Sequence, residues 1–368
     1  MILYFMEKFC FLFGSHNIFS YFCTIMVNQC RINWIDWAKV IAIFFVVFGH
    51  TPQERGDFLI TYICTFHMPF FFMLSGFLSK GSTDTESNLR KHWHTLIIPY
   101  FFYNLIFYPY WLVRYLVDFH GELTFGNIVT KPLLGMLFFQ IDSPVSMSLN
   151  GVTWFLAALL VMRIILNICY RMRWTDVCLI ITALLFAVLH VLSGFYFAVE
   201  NLFLNGLLFC FPFYVLGHFL RKKSILERYV VRNNLVSACL FHALGLLLFM
   251  YGREHIGGGI TYVLWAYLIV ITASMAVIYT CRLLNQYSSN MLVNLSIGTI
   301  AIMGIHWMFI GTINFGLERL LGISDITYSW YVAILLSIVI CFLIYPFIVC
   351  AVRYFPWALG KSKWQEMQ

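Results

Sequence analysis

Charged residues are scarce in this 368-residue chain: Asp, Glu, Lys and Arg make up 11% of it, where soluble domains carry about 25%. With 61% hydrophobic residues, such a chain is not an ordinary soluble protein. Cys-x-x-Cys pairs are also missing. The eleven cysteines are scattered, and Cys64, Cys169, Cys178, Cys210 and Cys341 sit inside apolar stretches, where a free thiol behaves as a small hydrophobe. That spacing offers no disulfide framework and no metal site. The apolar segment "FCFLFGSHNIFSYFCTIMV" near the start lacks the basic start and small-residue cleavage site of a secretory signal. Internal repeats, low-complexity tracts and a separate soluble domain are absent too.

What is present, along nearly the whole length, is apolar runs of the roughly 20 residues needed to cross a bilayer. Spans are expected near 34–51, 58–79, 95–117, 151–170, 175–193, 196–220, 233–251, 259–281, 291–315 and 328–352. The basic residues agree with that division. Sixteen of them (Lys80, Arg90, Lys91, Arg171, Arg173, the 221–232 group, Arg282 and both ends) fall on one face, and five (Arg55, Arg114, Lys131, Arg253, Arg319) on the other. Cytoplasmic loops are the basic ones, so the net charge of +7 marks orientation rather than a nucleic-acid partner. The expected fold is an all-α, polytopic transmembrane helix bundle of about ten spans with both termini cytoplasmic. Residues 1–30 form an N-terminal extension, a further or surface helix, or a stretch upstream of a start at Met26. Residues 31–355 form the transmembrane domain and 356–368 a cytoplasmic tail. The longest outer connection, 118–150, contains "KPLLGMLFF" and is expected to fold back on the outer surface as a cap, since long loops in compact proteins tend to be functional.

Ionisable groups inside the first span are the first functional signal. In "RINWIDWAKVIAIFFVVFGH", Lys39 and His50 differ by about 20° around a helix and stand about 16 Å apart along it. Asp36 shares their face and can pair with Lys39 three residues on. Intramembrane ionisable residues usually face a cavity and mark function. The bland alternative is a snorkelling lysine and an interfacial histidine. In the second span, "FHMPFFFMLSGFLSK", His67 lies beside helix-interrupting Pro69, and Ser75–Gly76 permits close backbone approach. A histidine satisfied by a nearby carbonyl explains that segment equally well.

These segments resemble membrane acyltransferase family 3. Lys39, ten residues, then His50 resembles the family's Arg/Lys-x10-His signature, and "FFFMLSGF" its FFxxSG[FY] segment. "LRKHWHTLIIPY", "GVTWFLAAL", "FPFYVLGHFL" and "SIGTIAIMGIH", which ends in His306, follow in the family's order. The wording is closest to the sugar O-acetylase branch with fucose 4-O-acetylase-like proteins. One departure is that the family's basic Arg-x-x-Arg reads Arg90 with Trp93 here, beside Lys91, His92 and His94.

The resemblance implies transfer of an acyl group, usually acetyl from acetyl-CoA, to a sugar hydroxyl of a surface polysaccharide or glycolipid, in a multi-pass protein of a bacterial inner or plasma membrane. Acetyl-CoA is then a co-substrate, and no cofactor is permanently bound. His50 is the candidate general base, with Lys39 and Asp36 at the inner end. His67, Ser75, Arg90, Lys91, His94, Trp154 and His306 are candidates for binding the donor or lining a pore. For His67, Ser75 and His306 helix packing is the equal alternative. For Trp154 it is an interfacial position, and for Glu54, as a group orienting His50, a solvated loop. The basic loops give the donor's phosphates an attractive field, and a positioned base typically contributes about 10²–10⁴-fold. A water-lined tunnel joining His50 to the basic mouth is expected. No His is followed five positions later by Asp, and no G-x-S-x-G elbow or P-loop lysine occurs, so nothing requires a serine nucleophile. The rival reading is a transporter or channel with an intramembrane His/Lys site, for which inverted repeats are the sequence cue. The acceptor and the oligomeric state are left open.

Overall fold

The computed structural model describes residues 32–54, 56–117, 122–193, 202–228, 233–256, 259–322 and 325–361. The expected extension at 1–30 lies outside them. Among the described residues there is no strand, and ten helices are long and apolar enough to cross a membrane: α1 Asn33–His50, α2 Phe58–Leu78, α3 Thr85–Val117, α4 Gly151–Arg171, α5 Thr175–Leu192, α6 Leu202–Lys222, α7 Asn234–His255, α8 Ile260–Leu283, α9 Thr299–Leu321 and α10 Trp330–Tyr354. The all-α polytopic bundle is therefore what the chain forms.

Local chemistry sets the helix ends. The Asp57 carboxylate accepts from the Leu59 amide at the start of α2, and Gly322 takes a left-handed conformation after α9, where glycine adds no steric cost. The ninth expected span, 291–315, is in fact two pieces, a short helix Asn290–Ile297 and then α9, parted at Gly298. A Cβ at Gly298 would fall against Ile348 of α10. The sequence pattern is apolar on both sides of this glycine, so periodicity alone reads through the break.

Helices α2 and α6 pack backbone against backbone. A Cβ on Gly76 would land on the carbonyl oxygen of Tyr214, and one on Gly217 on that of Met73. Reciprocal glycines thus let two backbones touch, the usual means of packing helices in hydrocarbon.

Part of the outer connection, around Met136, Gln140 and Asn150, goes deeper than the expected surface cap and enters the bundle. Tyr100 Oη donates to the Met136 carbonyl at 2.6 Å. Tyr100 stands seven residues, about 10 Å of helix rise, closer to the Lys39 end than Phe107, which sits at the level of His50. Non-helical backbone at membrane depth must be satisfied within the protein, and Gln140 does this. Its Oε1 accepts from the Leu149 and Asn150 amides at 2.8 and 3.0 Å, and its Nε2 donates to Asn104 Oδ1 at 2.9 Å. Asn150 Nδ2 in turn donates to the Gly304 carbonyl of α9. Gln140→Ala orphans several of these groups, each costing about 1–3 kcal/mol when buried. The expected result is faster hydrogen exchange at the Leu149 and Asn150 amides; unchanged exchange there contradicts the assignment.

Candidate active site

The face of α1 that carries Lys39 and His50 opens on a cavity at each end. Between them the same face presents Ile43, Val46 and Val47, all buried. The cavity at the Lys39 end has a volume of about 510 Å³. Lys39, Arg163, Arg221 and Lys361 line it, with the hydroxyls of Ser75, Thr95, Ser296 and Thr299. Asp36 is the one carboxylate among the described lining residues, and it accepts from Ser296 Oγ at 2.5 Å.

Arg163 escaped sequence reasoning, although the signal was there: a lone arginine in the middle of "WFLAALLVMRIILNICYR" on α4. Its guanidinium donates to Thr95 Oγ1 at 3.1 Å, a neutral partner. Arg221 donates to the Phe77 carbonyl and stands over the Phe77 ring. Ser75 lines the same cavity, and its hydroxyl donates to Phe71 O one turn back. By contrast, Arg90 is exposed and pairs with Glu86 at 3.8 Å. Lys91 is exposed as well, and His94 is half-buried; none of these three lines the cavity. The basic residue of that stretch that turns inward is His92, whose Nε2 meets Asn167 Nδ2.

The cavity at the other end holds about 470 Å³. His50 lines it with Trp307, Phe107, Tyr110 and Trp111, and with the charged groups Arg114, Asp142 and Glu318. The His50 ring lies 5.2 Å from that of His306 and 5.9 Å from that of Trp307, centroid to centroid. His306 Nδ1 donates to the carbonyls of Ile302 and Met303, which leaves Nε2 as an acceptor inside the bundle with no protein partner. His67 Nδ1 donates to Ile63 O, and its imidazole edge lies beside Gly49, next to His50. Three histidines far apart in sequence therefore converge at one level. Glu54 is exposed. Because α1 stops at His50, the four-residue spacing between the two no longer places them on one helical face.

Among the described residues the expected water-lined tunnel is replaced by two separate cavities. The two cavities share no lining residue and come within one turn of each other on α4, where Gly151 faces one and Phe155 the other. Trp154 is buried rather than interfacial and lines neither of these two cavities. It is buried against Phe72, which packs in turn on Phe155 with centroids 4.5 Å apart, while Phe71 meets Phe155 edge-on. An apolar, aromatic waist thus separates a cationic chamber from a histidine-bearing one. No group of three or more metal-ligating side chains occurs among the described residues.

The described helices thus carry a cation-lined chamber, an aromatic waist and a cluster of histidines beyond it. Residues 32–346 match the acyltransferase domain that defines acyltransferase family 3, and the chain belongs to that family. No curated protein and no solved structure matches it.

Proposed function

We propose that this membrane acyltransferase moves an acetyl group from cytoplasmic acetyl-CoA to a sugar hydroxyl presented at the opposite membrane face, on a polysaccharide or glycolipid. The observation that carries the reading is the pair of unlike cavities at the two ends of one helix face, cationic at Lys39 and aromatic with histidine at His50. By the distribution of basic loops, the Lys39 end faces the cytoplasm, where the donor is made. Arg163, Arg221, Lys39 and Lys361 suit its phosphates, since hydrogen bonds between charged partners are roughly twice as strong as neutral ones. The uncharged thioester arm then crosses the waist, where Phe155 and the Val46–Val47 face keep water from the thioester.

At the far cavity the acceptor sugar lies against the Trp307 and Tyr110 rings, with polar groups such as Asp142 and Asn314 available to its hydroxyls. His50 takes the proton from the attacking hydroxyl. The oxygen forms a C–O bond to the acyl carbon, the C–S bond breaks, and the imidazolium returns its proton to the leaving sulfur. The products are an ester and a free thiol. His306 and His67 stand close enough to keep the His50 ring in position.

Purified protein in detergent, given acetyl-CoA and a short glycan, is expected to yield the acetyl ester by mass spectrometry with one free thiol per ester. Failure to form ester with any glycan, while the protein moves a solute across vesicles in the absence of donor, would establish the transporter reading in its place.

A further inference from the structure

The last described residues do more than leave the membrane. After α10, residues 356–359 form one 3₁₀ turn in which Pro356, Ala358 and Leu359 are buried, and Trp357 meets Phe102 edge-on at 4.8 Å between centroids. Gly360 follows with φ +68°, and a Cβ there would lie 2.7 Å from the Thr95 carbonyl oxygen. Two requirements, a left-handed backbone and contact with another main chain, fall on the same residue. Leu359, Gly360 and Lys361 then line the cationic cavity. This segment was expected to begin a tail, and it lies beyond residues 32–346, the part that matches the family.

Thr95 links the strap to Arg163, a half-buried cation of the cavity wall. Its carbonyl lies close against Gly360, and its hydroxyl, which donates to the Lys91 carbonyl one turn back, accepts from Arg163. A guanidinium within the membrane held by a neutral hydroxyl is costly to desolvate, and Lys39, Arg221 and Lys361 line the same cavity, with Asp36 the one carboxylate among its described lining residues. An anionic ligand offsets that cost.

We propose that the C-terminal strap is a working wall of this anion site. Lys361 contributes a cation from outside the family-matching region, and Gly360, seated on the main chain of Thr95, brings the strap beside the Thr95 hydroxyl that Arg163 meets, so that Lys361 and Arg163 converge on the diphosphate of a nucleotide. That the nucleotide is the acyl donor rests on the function proposed above; that the strap completes a phosphate site does not.

The test is equilibrium binding to the full-length protein in zwitterionic detergent, with coenzyme A, inorganic pyrophosphate and a short-chain phosphatidylglycerol as separate probes. Coenzyme A and pyrophosphate are expected to compete. Lys361→Gln is expected to weaken both by about 3- to 10-fold and Arg163→Gln by about 10-fold or more, as charge-assisted bonds are lost, with Lys361→Arg restoring affinity. Gly360→Val is expected to weaken both by lifting the strap, while melting temperatures of the Lys361 variants stay at the wild-type value. Coenzyme A binding that is indifferent to Lys361→Gln and Gly360→Val overturns the strap's role and leaves the donor reading standing. Pyrophosphate binding that falls in Lys361→Gln, without any affinity for coenzyme A, upholds the strap and removes the donor reading. Affinity for the phospholipid alone, or for none of the probes, overturns the inference.

Discussion

His50→Ala is expected to lower acyl transfer by about 10²–10⁴-fold, the usual contribution of a positioned general base, while coenzyme A binds as before. The separation of effects follows from distance. His50 lines the far cavity, and Lys39, at the wall of the cationic cavity, is about 16 Å away along α1. A loss confined to the chemical step, measured as single-turnover ester formation beside equilibrium donor binding, matches the geometry. His50→Gln is expected to fall as far, because an amide has no basic nitrogen. If His50→Ala keeps a rate within about tenfold of wild type, the base is another group. His306 is then the candidate, since its Nδ1 is committed to backbone carbonyls and its Nε2 is open.

Gly217→Val is expected to prevent folding of the bundle or lower its apparent melting temperature by many degrees. The valine Cβ would occupy the place of the Met73 carbonyl oxygen, with the Phe77 amide nitrogen 3.0 Å away. Overpacking a core costs about 1–3 kcal/mol where side chains can give way, occasionally more; here the obstacle is backbone. The α2–α6 contact would have to open, carrying with it Phe71 and Ser75 at the wall of the cationic cavity. Gly76→Val probes the same contact from the other side and is expected to be as severe. Fluorescence-detected gel filtration with a thermal ramp reads both. A monodisperse protein with unchanged melting behaviour contradicts the close-packing assignment.

Much of the fold was legible in the sequence because the bilayer imposes a length and a charge rule that single segments obey. The described spans lie within a few residues of their expected places, apart from the third, which begins at Thr85 rather than near 95, and the break at Gly298, while the expected start of the sixth lies outside the described residues. The site was half legible. Lys39, Asp36 and Ser75 do share a cavity, and His50, His67 and His306 do converge, since periodicity fixes which residues of a helix look inward. Arg163 was passed over because the count of basic residues concerned loops, and its importance depends on which face of α4 meets Thr95. Arg90 and Lys91 drew attention as part of a motif, but the helix turns them to solvent and His92 inward. The strap at 356–361 and the descent of the Gln140 loop depend on long-range polar contacts, Gly360 with Thr95 and Gln140 with Asn104, and such pairings leave no local pattern.

The central claim is transfer from one end of the bundle to the other, and topologically resolved acylation tests it most directly. The protein is reconstituted in sealed vesicles, sorted by orientation, with labelled acetyl-CoA supplied outside and a glycan acceptor trapped within. Label is expected on the trapped glycan only in vesicles whose Lys39 end faces outward, and His50→Ala is expected to abolish it. Labelling that requires donor and acceptor in the same compartment contradicts the account.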